Sequence, residues 1–169
     1  MDQPRYFVEP LGKHDRAAFH CGNEALDQYF LERAPRDIRE HLSAVFVLIG
    51  KDDTFAVLGF YILSTQEIET GELPESLQKR TGRYQSVGAI LIGRLAVSIK
   101  HAGKGLGELL LMDALKKSLK STKSVAAFAV VVDAKDDRAT TFYRKHGFVP
   151  LRGKRLVLPM KTVRDLFAE

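Results

Sequence analysis

Apolar residues along this chain fall into short runs separated by polar segments rich in glycine and proline, and the spacing within the runs changes from one to the next. Tyr6-Phe7-Val8, just before Pro10, predicts a short first strand. From His14 to about His41, Ala18/Phe19, Leu26, Tyr29/Phe30 and Ala34 recur at three- and four-residue steps. That period predicts a helical segment, broken by Gly22 and Pro35, with Asn23 placed to cap its second part. Ala44–Ile49 predicts a strand, Lys51-Asp52-Asp53 a turn, and Phe55–Leu63 the hairpin partner.

Residues 66–86 are polar, carry Gly71, Pro74 and Gly82, and predict a loop with one helical turn near Glu75–Lys79. Val87–Val97 is apolar over most of its length, the pattern of a central strand covered on both faces. Residues 105–120 place apolar groups at 106, 109, 110, 112, 115 and 119, an amphipathic helix with Lys116, Lys117 and Lys120 toward its C-terminal end. Val125–Val132 predicts another buried strand, and Asp137–His146 a short helix with Gly147 as its C′ residue. Phe148-Val149 and Arg155–Leu158 predict a closing strand pair. Helices alternate with strands and antiparallel hairpins stand at both ends. The expected class is therefore α+β (mixed α/β), a central, mostly antiparallel twisted sheet flanked by helices.

A chain of 169 residues has one-domain length, so a single domain over 1–169 is expected. Its 45% apolar and 28% charged residues exclude disordered, collagenous and low-complexity classes. The single cysteine, Cys21, excludes an intrachain disulfide and a cysteine-rich zinc cluster, and fits a small buried hydrophobe better than a nucleophile. The five histidines have no metal-ligand spacing, so no metal is expected. The N-terminus lacks the apolar core of a signal peptide, and no apolar run approaches membrane-spanning length, so the expected location is the cytoplasm.

The formal charge is +5, unevenly spread. Arg144, Lys145, Arg152, Lys154, Arg155, Lys161 and Arg164 lie within 144–164, where no acidic residue occurs, leaving a net −2 for the rest. Such an excess favours a polyanionic partner, nucleic acid included, or simply keeps a small protein soluble. Arg94 is a different case. It sits in an otherwise apolar strand and needs a carboxylate, a phosphate or an exposed face.

The clearest candidate chemistry is Gly103-Lys104-Gly105-Leu106-Gly107, directly between the Val87–Val97 strand and the amphipathic helix. Glycines at a helix start leave backbone N–H groups open at the positive end of the helix dipole, a place for a diphosphate; a tight turn that binds nothing is the alternative. Gly107 is followed by Glu108-Leu109 rather than Lys-Ser/Thr, which excludes the nucleotide P-loop, and the dinucleotide fingerprint fits equally poorly.

The stretch Ile92–Leu111 resembles the core of the GCN5-related N-acetyltransferase superfamily: a strand, R/Q-x-x-G-x-G/A, then a helix. The resemblance implies an acetyltransferase fold and acetyl-CoA as acyl donor. Its pyrophosphate would lie on Ala102, Gly103, Lys104, Gly105, Leu106, Gly107 and Glu108, and its pantetheine beside Leu95, Ala96 and Val97. Ala102 stands where the motif has Gln or Arg, so one side-chain donor is missing. Ala139–Phe148 resembles the family's A-x-x-F-Y-x-x-x-G-F helix, which implies that Tyr143 protonates the departing thiolate and that Phe142 lies by the cofactor. Neighbours on a helix are about 100° apart, so these two rings cannot face the same way. The spacing 139/142/146 suits Phe142 to the core, with Tyr143 facing the cleft and its phenol free; a Tyr143 that packs its ring and bonds to water is the alternative.

A narrower resemblance spans most of the chain. Phe19–Phe30, Gly93-Arg94-Leu95-Ala96-Val97, Val131–Lys135 and Val157-Leu158-Pro159-Met160 are similar to the toxin branch of that superfamily. This implies acetylation of the α-amine of aminoacyl-tRNA, a ribbon-helix-helix antitoxin as partner, and a homodimer. Substrate contacts would come from Arg94, Arg36, Arg83, Lys145 and Arg152. No paired carboxylates or Cys-His arrangement stands out in the sequence. An α-amine of aminoacyl-tRNA has a pKa below that of lysine, so a strong general base is hardly needed. Two other readings are an acetyltransferase for a small amine or protein N-terminus, and a non-catalytic module that binds nucleic acid or protein.

Overall fold

The computed structural model describes residues 5–151 and 155–168. In chain order the elements are β1 (Tyr6–Pro10), α1 (Glu24–Glu32), α2 (Ala34–Arg39), β2 (Ala44–Gly50), β3 (Gly59–Glu69), α3 (Glu75–Gln78), β4 (Ser86–Val97), α4 (Leu106–Ser121), β5 (Ala129–Asp133), α5 (Asp137–Lys145), β6 (Val149–Pro150), β7 (Arg155–Pro159) and α6 (Met160–Leu166). The strands form one seven-stranded sheet in the order β1-β2-β3-β4-β5-β7-β6. β1–β2, β2–β3, β5–β7 and β6–β7 pair antiparallel, whereas β4 and β5 run parallel. This is the mixed, mostly antiparallel architecture expected.

The chain divides into two compact units, residues 1–64 with 94–114 and residues 65–93 with 115–169, so β3, β4 and α4 each contribute to both. In the first unit, Phe30 stacks on Phe60 at 4.4 Å and Phe19 meets both edge-on, with Val47, Ile62 and Ala96 around them. Tyr61 is fully buried and donates to Asp113 Oδ2 at 2.6 Å. Gly59 permits a close approach: a Cβ there would lie 2.8 Å from Leu110 Cδ1 and 2.9 Å from the Ala96 carbonyl oxygen. The strand end carrying Ala96 and the start of α4 are thereby packed against β3. In the second unit Ile68, Leu77, Ala89, Val131, Leu151 and Val157 form the core.

Several expectations are corrected. Residues 14–22 are not helical; Asp15 bridges to Ala56 and Phe19 plugs the aromatic core instead. Asn23 does cap α1, accepting from the Leu26 N–H, and Pro35 falls in the first turn of α2, where a missing N–H costs nothing. β3 begins at Gly59 and runs on to Glu69, deep into the expected loop, with Ile68 alone of its last residues buried. β4 is buried at Ala89, Ile92 and Ala96 and half-covered elsewhere rather than enclosed on both faces. β5 starts at Ala129, because its pairing with β4 covers only Ala89–Ile92; Val125 is instead 73% exposed, its N–H bonded back to Ser121. Cys21 is half-buried against the aromatic core. The helix α6, with Val163 fully buried, has no counterpart among the expected elements.

Candidate functional site

The expected helix at the glycine run is α4, whose buried stripe runs through Leu106, Leu110, Leu111, Ala114 and Leu115. Burying each leucine stabilises by about 1.5–3 kcal/mol, which fixes the N-terminus of this helix firmly. A one-turn 3-10 helix, Ile99–His101, joins it to β4, held by Ser98 N–H to Leu58 O and Ile99 N–H to His20 O, both at 2.8 Å. Gly103 and Gly105 adopt φ of +80° and +77°, and nothing lies within 4 Å of where their Cβ atoms would be. The positive φ, not crowding, demands glycine here.

The consequence is a row of open donors. The Ala102 amide is used within the turn, and the Leu109 amide bonds the Gly105 carbonyl at 3.2 Å. The amides from Gly103 to Gly107 have no hydrogen-bond acceptor among the described residues. With the dipole of a 16-residue helix behind them, they form an anion cradle. Ala102, Gly103, Lys104, Gly105 and Glu108 are exposed, so the cradle is open to a ligand; Leu106 is buried and serves the core. Lys104 Nζ stands 3.0 Å from His101 Nδ1, and burial together with Lys104 and Lys100 holds the His101 pKa below its ordinary value. The lysine therefore donates to a neutral imidazole, and a cation remains beside the cradle although Ala102 supplies none. His101 also lines a recess of about 930 Å³ with Arg5, Lys51, Asp52 and Asp53. An apolar recess of about 740 Å³ near Val87 and Val125 contains none of the expected site residues.

In the same unit Arg94 is half-buried, with Leu95 and Val97 half-buried and Ala96 buried beside it on β4. Its guanidinium carbon lies 3.7 Å from the centroid of the Tyr29 ring, and it has no ion-pair partner among the described residues. A structural salt bridge is thus not the reason for this charge. Tyr29 was not among the expected site residues. Its i, i+4 spacing to Arg33, the residue that ends α1, is visible in the sequence, but its contact with Arg94 joins positions far apart in the chain.

Tyr143 lies in the second unit on α5, which Asp136 caps by accepting from the Ala139 N–H at 2.8 Å. The expected burial of the two rings is reversed: Tyr143 is 6% exposed, whereas Phe142 is half-buried between Tyr143 and His146. A helix nine residues long turns its best-packed face by contact with the sheet, and here Phe148 packs edge-on to the Tyr143 ring. The Tyr143 hydroxyl has no hydrogen-bond partner among the described residues. Burial and then Asp133 push the phenol pKa well above its ordinary value. It is a protonated donor at neutral pH, engaged by none of the described residues.

Of the remaining expected contacts, Arg36 is exposed in the first unit and Arg83 and Lys145 are exposed in the second; Arg152 falls outside the described residues. Among the described residues no group of His, Cys, Asp and Glu could hold a metal ion, and no helix is long and apolar enough to cross a membrane.

Residues 44–150 match the acetyltransferase (GNAT) domain family. A probable toxin TacT of Sinorhizobium fredii (strain NBRC 101917 / NGR234) is 30% identical, the match covering 94% of this chain and 93% of that protein. A tRNA-acetylating toxin of Mycobacterium tuberculosis (strain ATCC 25618 / H37Rv) is 32% identical, with 92% of each covered. Among solved structures, AtaT complexed with acetyl-methionyl-tRNAfMet superposes with a TM-score of 0.89 at 27% identity, over 96% of this chain and 99% of that one. A mutant of the toxin AtaT bound to the C-terminus of the antitoxin AtaR and acetyl-CoA gives 0.84 at 25% identity, over 98% and 100%. The open amides, the strand that leads to them and these matches agree: the chain belongs to the GNAT acetyltransferase family.

Proposed function

We propose that this protein transfers the acetyl group of acetyl-CoA to the α-amine of aminoacyl-tRNA, acting in the cytoplasm as the toxin of a type II toxin-antitoxin pair. We read residues 1–169 as one acetyltransferase domain. The observation that carries the reading is the amide row from Gly103 to Gly107 at the start of α4, unpaired among the described residues, which suits a pyrophosphate. The substrate follows from the relatives' chemistry and from the basic excess between 144 and 164, which suits a polyanionic acceptor.

In this reading the amides of 103–107, with Lys104, hold the pyrophosphate, and pantetheine runs beside Leu95, Ala96 and Val97, with Phe142 lining the cofactor path. The backbone N–H near Val97 polarises the thioester carbonyl. The neutral amine forms a bond to the carbonyl carbon, the C–S bond breaks, and sulfur leaves with the electron pair and takes the proton of Tyr143. The amine's surplus proton goes to solvent, which also reprotonates Tyr143. Arg94, Arg36, Arg83, Lys145 and Arg152 contact the acceptor's phosphates. A ribbon-helix-helix antitoxin neutralises the protein, which works as a homodimer. Incubation of bulk aminoacyl-tRNA with radiolabelled acetyl-CoA tests the reading. Label should appear in acid-precipitable RNA as N-acetylaminoacyl ester, and labelling of free amino acids or peptides alone would overturn it.

A further inference from the structure

We infer that Arg33 and Arg94, mounted on the ring of Tyr29, form a clamp for a phosphodiester of the acceptor strand close to the reacting amine. The inference rests on the tRNA reading above and names the device that serves it. Both guanidinium carbons approach the same ring, Arg94 at 3.7 Å and Arg33 at 5.5 Å from its centroid. Neither has an ion-pair partner among the described residues. The carboxylate beside them, Asp37, is already engaged: it accepts the Tyr29 hydroxyl at 2.8 Å.

This arrangement differs from a structural ion pair in a way that matters for binding. A carboxylate partner would consume the in-plane N–H donors of a guanidinium and cancel its charge. A ring face holds the cation by its flat side and leaves the donors along its edge available. Tyr29 is only 3% exposed and anchored through its hydroxyl, so the platform is rigid. Two positive charges gathered on one ring repel each other, the single charge of Asp37 offsets only part of that, and an added anion relieves the rest. Arg94 directly precedes Leu95, the first of the strand residues assigned to pantetheine. The anion it takes is therefore one carried a few bonds from the acetyl acceptor, which for aminoacyl-tRNA is a phosphodiester of the terminal nucleotides. Asp37 and Tyr29 are positioning residues in this scheme; Arg33 and Arg94 touch the substrate.

The test measures binding of fluorescein-labelled uncharged tRNA by anisotropy across a salt series, with melting temperature and acetyl-CoA affinity as checks on folding. Arg33→Ala and Arg94→Ala should each weaken binding and flatten the log–log salt slope by about 0.7, the contribution of one single-strand phosphate contact. Tyr29→Leu leaves both charges but removes their platform, and should weaken binding by about two- to thirtyfold, the span of a cation–π contact. Tyr29→Phe keeps the ring but removes the anchor and frees Asp37, and should weaken binding less than Tyr29→Leu does. If both arginine variants keep the wild-type affinity and slope while charged tRNA is still acetylated, the clamp is wrong and the tRNA reading stands. If the wild type neither binds tRNA in a salt-dependent way nor acetylates it, the substrate reading fails and the clamp falls with it.

Discussion

Tyr143 and Arg94 are polar groups without their usual partners among the described residues, and in each case burial has shaped what remains. The Tyr143 ring is enclosed, no described residue engages its hydroxyl, and burial raises its pKa further above neutrality. Replacing Tyr143 by Phe should lower kcat by about 10²–10⁴, the usual cost of losing a general acid, with acetyl-CoA affinity changed only a few-fold. Steady-state acetyl transfer and calorimetric titration read the two quantities, and an unaltered kcat would remove Tyr143 from the chemistry. Because the phenol pKa is raised, the wild-type rate should show no fall from this group below pH 10. The family motif made Tyr143 legible in the sequence, but not which of two adjacent rings packs inward; that depends on Phe148 and the sheet. For Arg94, a charge in an apolar strand announced the need for a partner. The partner proved to be an aromatic face on α1, and no local pattern encodes that contact.

At the scale of elements, the loop between β4 and α4 carries the account of cofactor binding. Gly105→Asp would place a Cβ at φ +77° and a negative charge among donors meant for an anion. Calorimetry should show acetyl-CoA binding weakened by more than about tenfold, since a hydrogen-bonded charge contributes about 1.5–3 kcal/mol, while the strain of the positive φ, about 1–2 kcal/mol, lowers the melting temperature by only a few degrees. Undiminished binding would move the pyrophosphate elsewhere. This loop and α4 were readable because a 3.6-residue period, a glycine run and an apolar strand stand in series. The C-terminal part of β3 was not, since Gln66, Glu67 and Glu69 surround a single inward residue, Ile68, and the sheet rather than local propensity makes it a strand. Val125 to Ala127 misled in the opposite direction: they are apolar, but β4 offers pairing only from Ala129 onward. The helix α6 is short and amphipathic through little more than Met160 and Val163, too few positions to establish a period.

For the molecule as a whole, buried phenols and excess positive charge set two responses to solution conditions. Tyr29 is raised to about 12 by burial and Asp37, and Tyr61 and Tyr143 are raised well above 10 by burial and a nearby carboxylate. The unfolded chain gives up these protons near pH 10 whereas the folded protein keeps them. Their contribution is thus intact below pH 10 and declines above it, by about 1.4 kcal/mol per pH unit for each phenol, with Tyr29's share exhausted near pH 12. Denaturant midpoints measured from pH 8 to 11 should be flat and then drop, and Tyr61→Phe should soften the drop; a midpoint constant to pH 11 would contradict the assigned burial. The salt response bears on the substrate itself. The most direct measurement compares kcat/KM for acetyl transfer to charged tRNA and to a free amino-acid ester, each at low and at raised salt. Transfer to charged tRNA should be far more efficient at low salt and fall steeply as salt rises, by close to one log unit per log unit of salt for each duplex phosphate contact, while transfer to the ester changes little. Efficient, salt-insensitive use of the ester together with neglect of charged tRNA would show that this acetyltransferase serves a small amine instead.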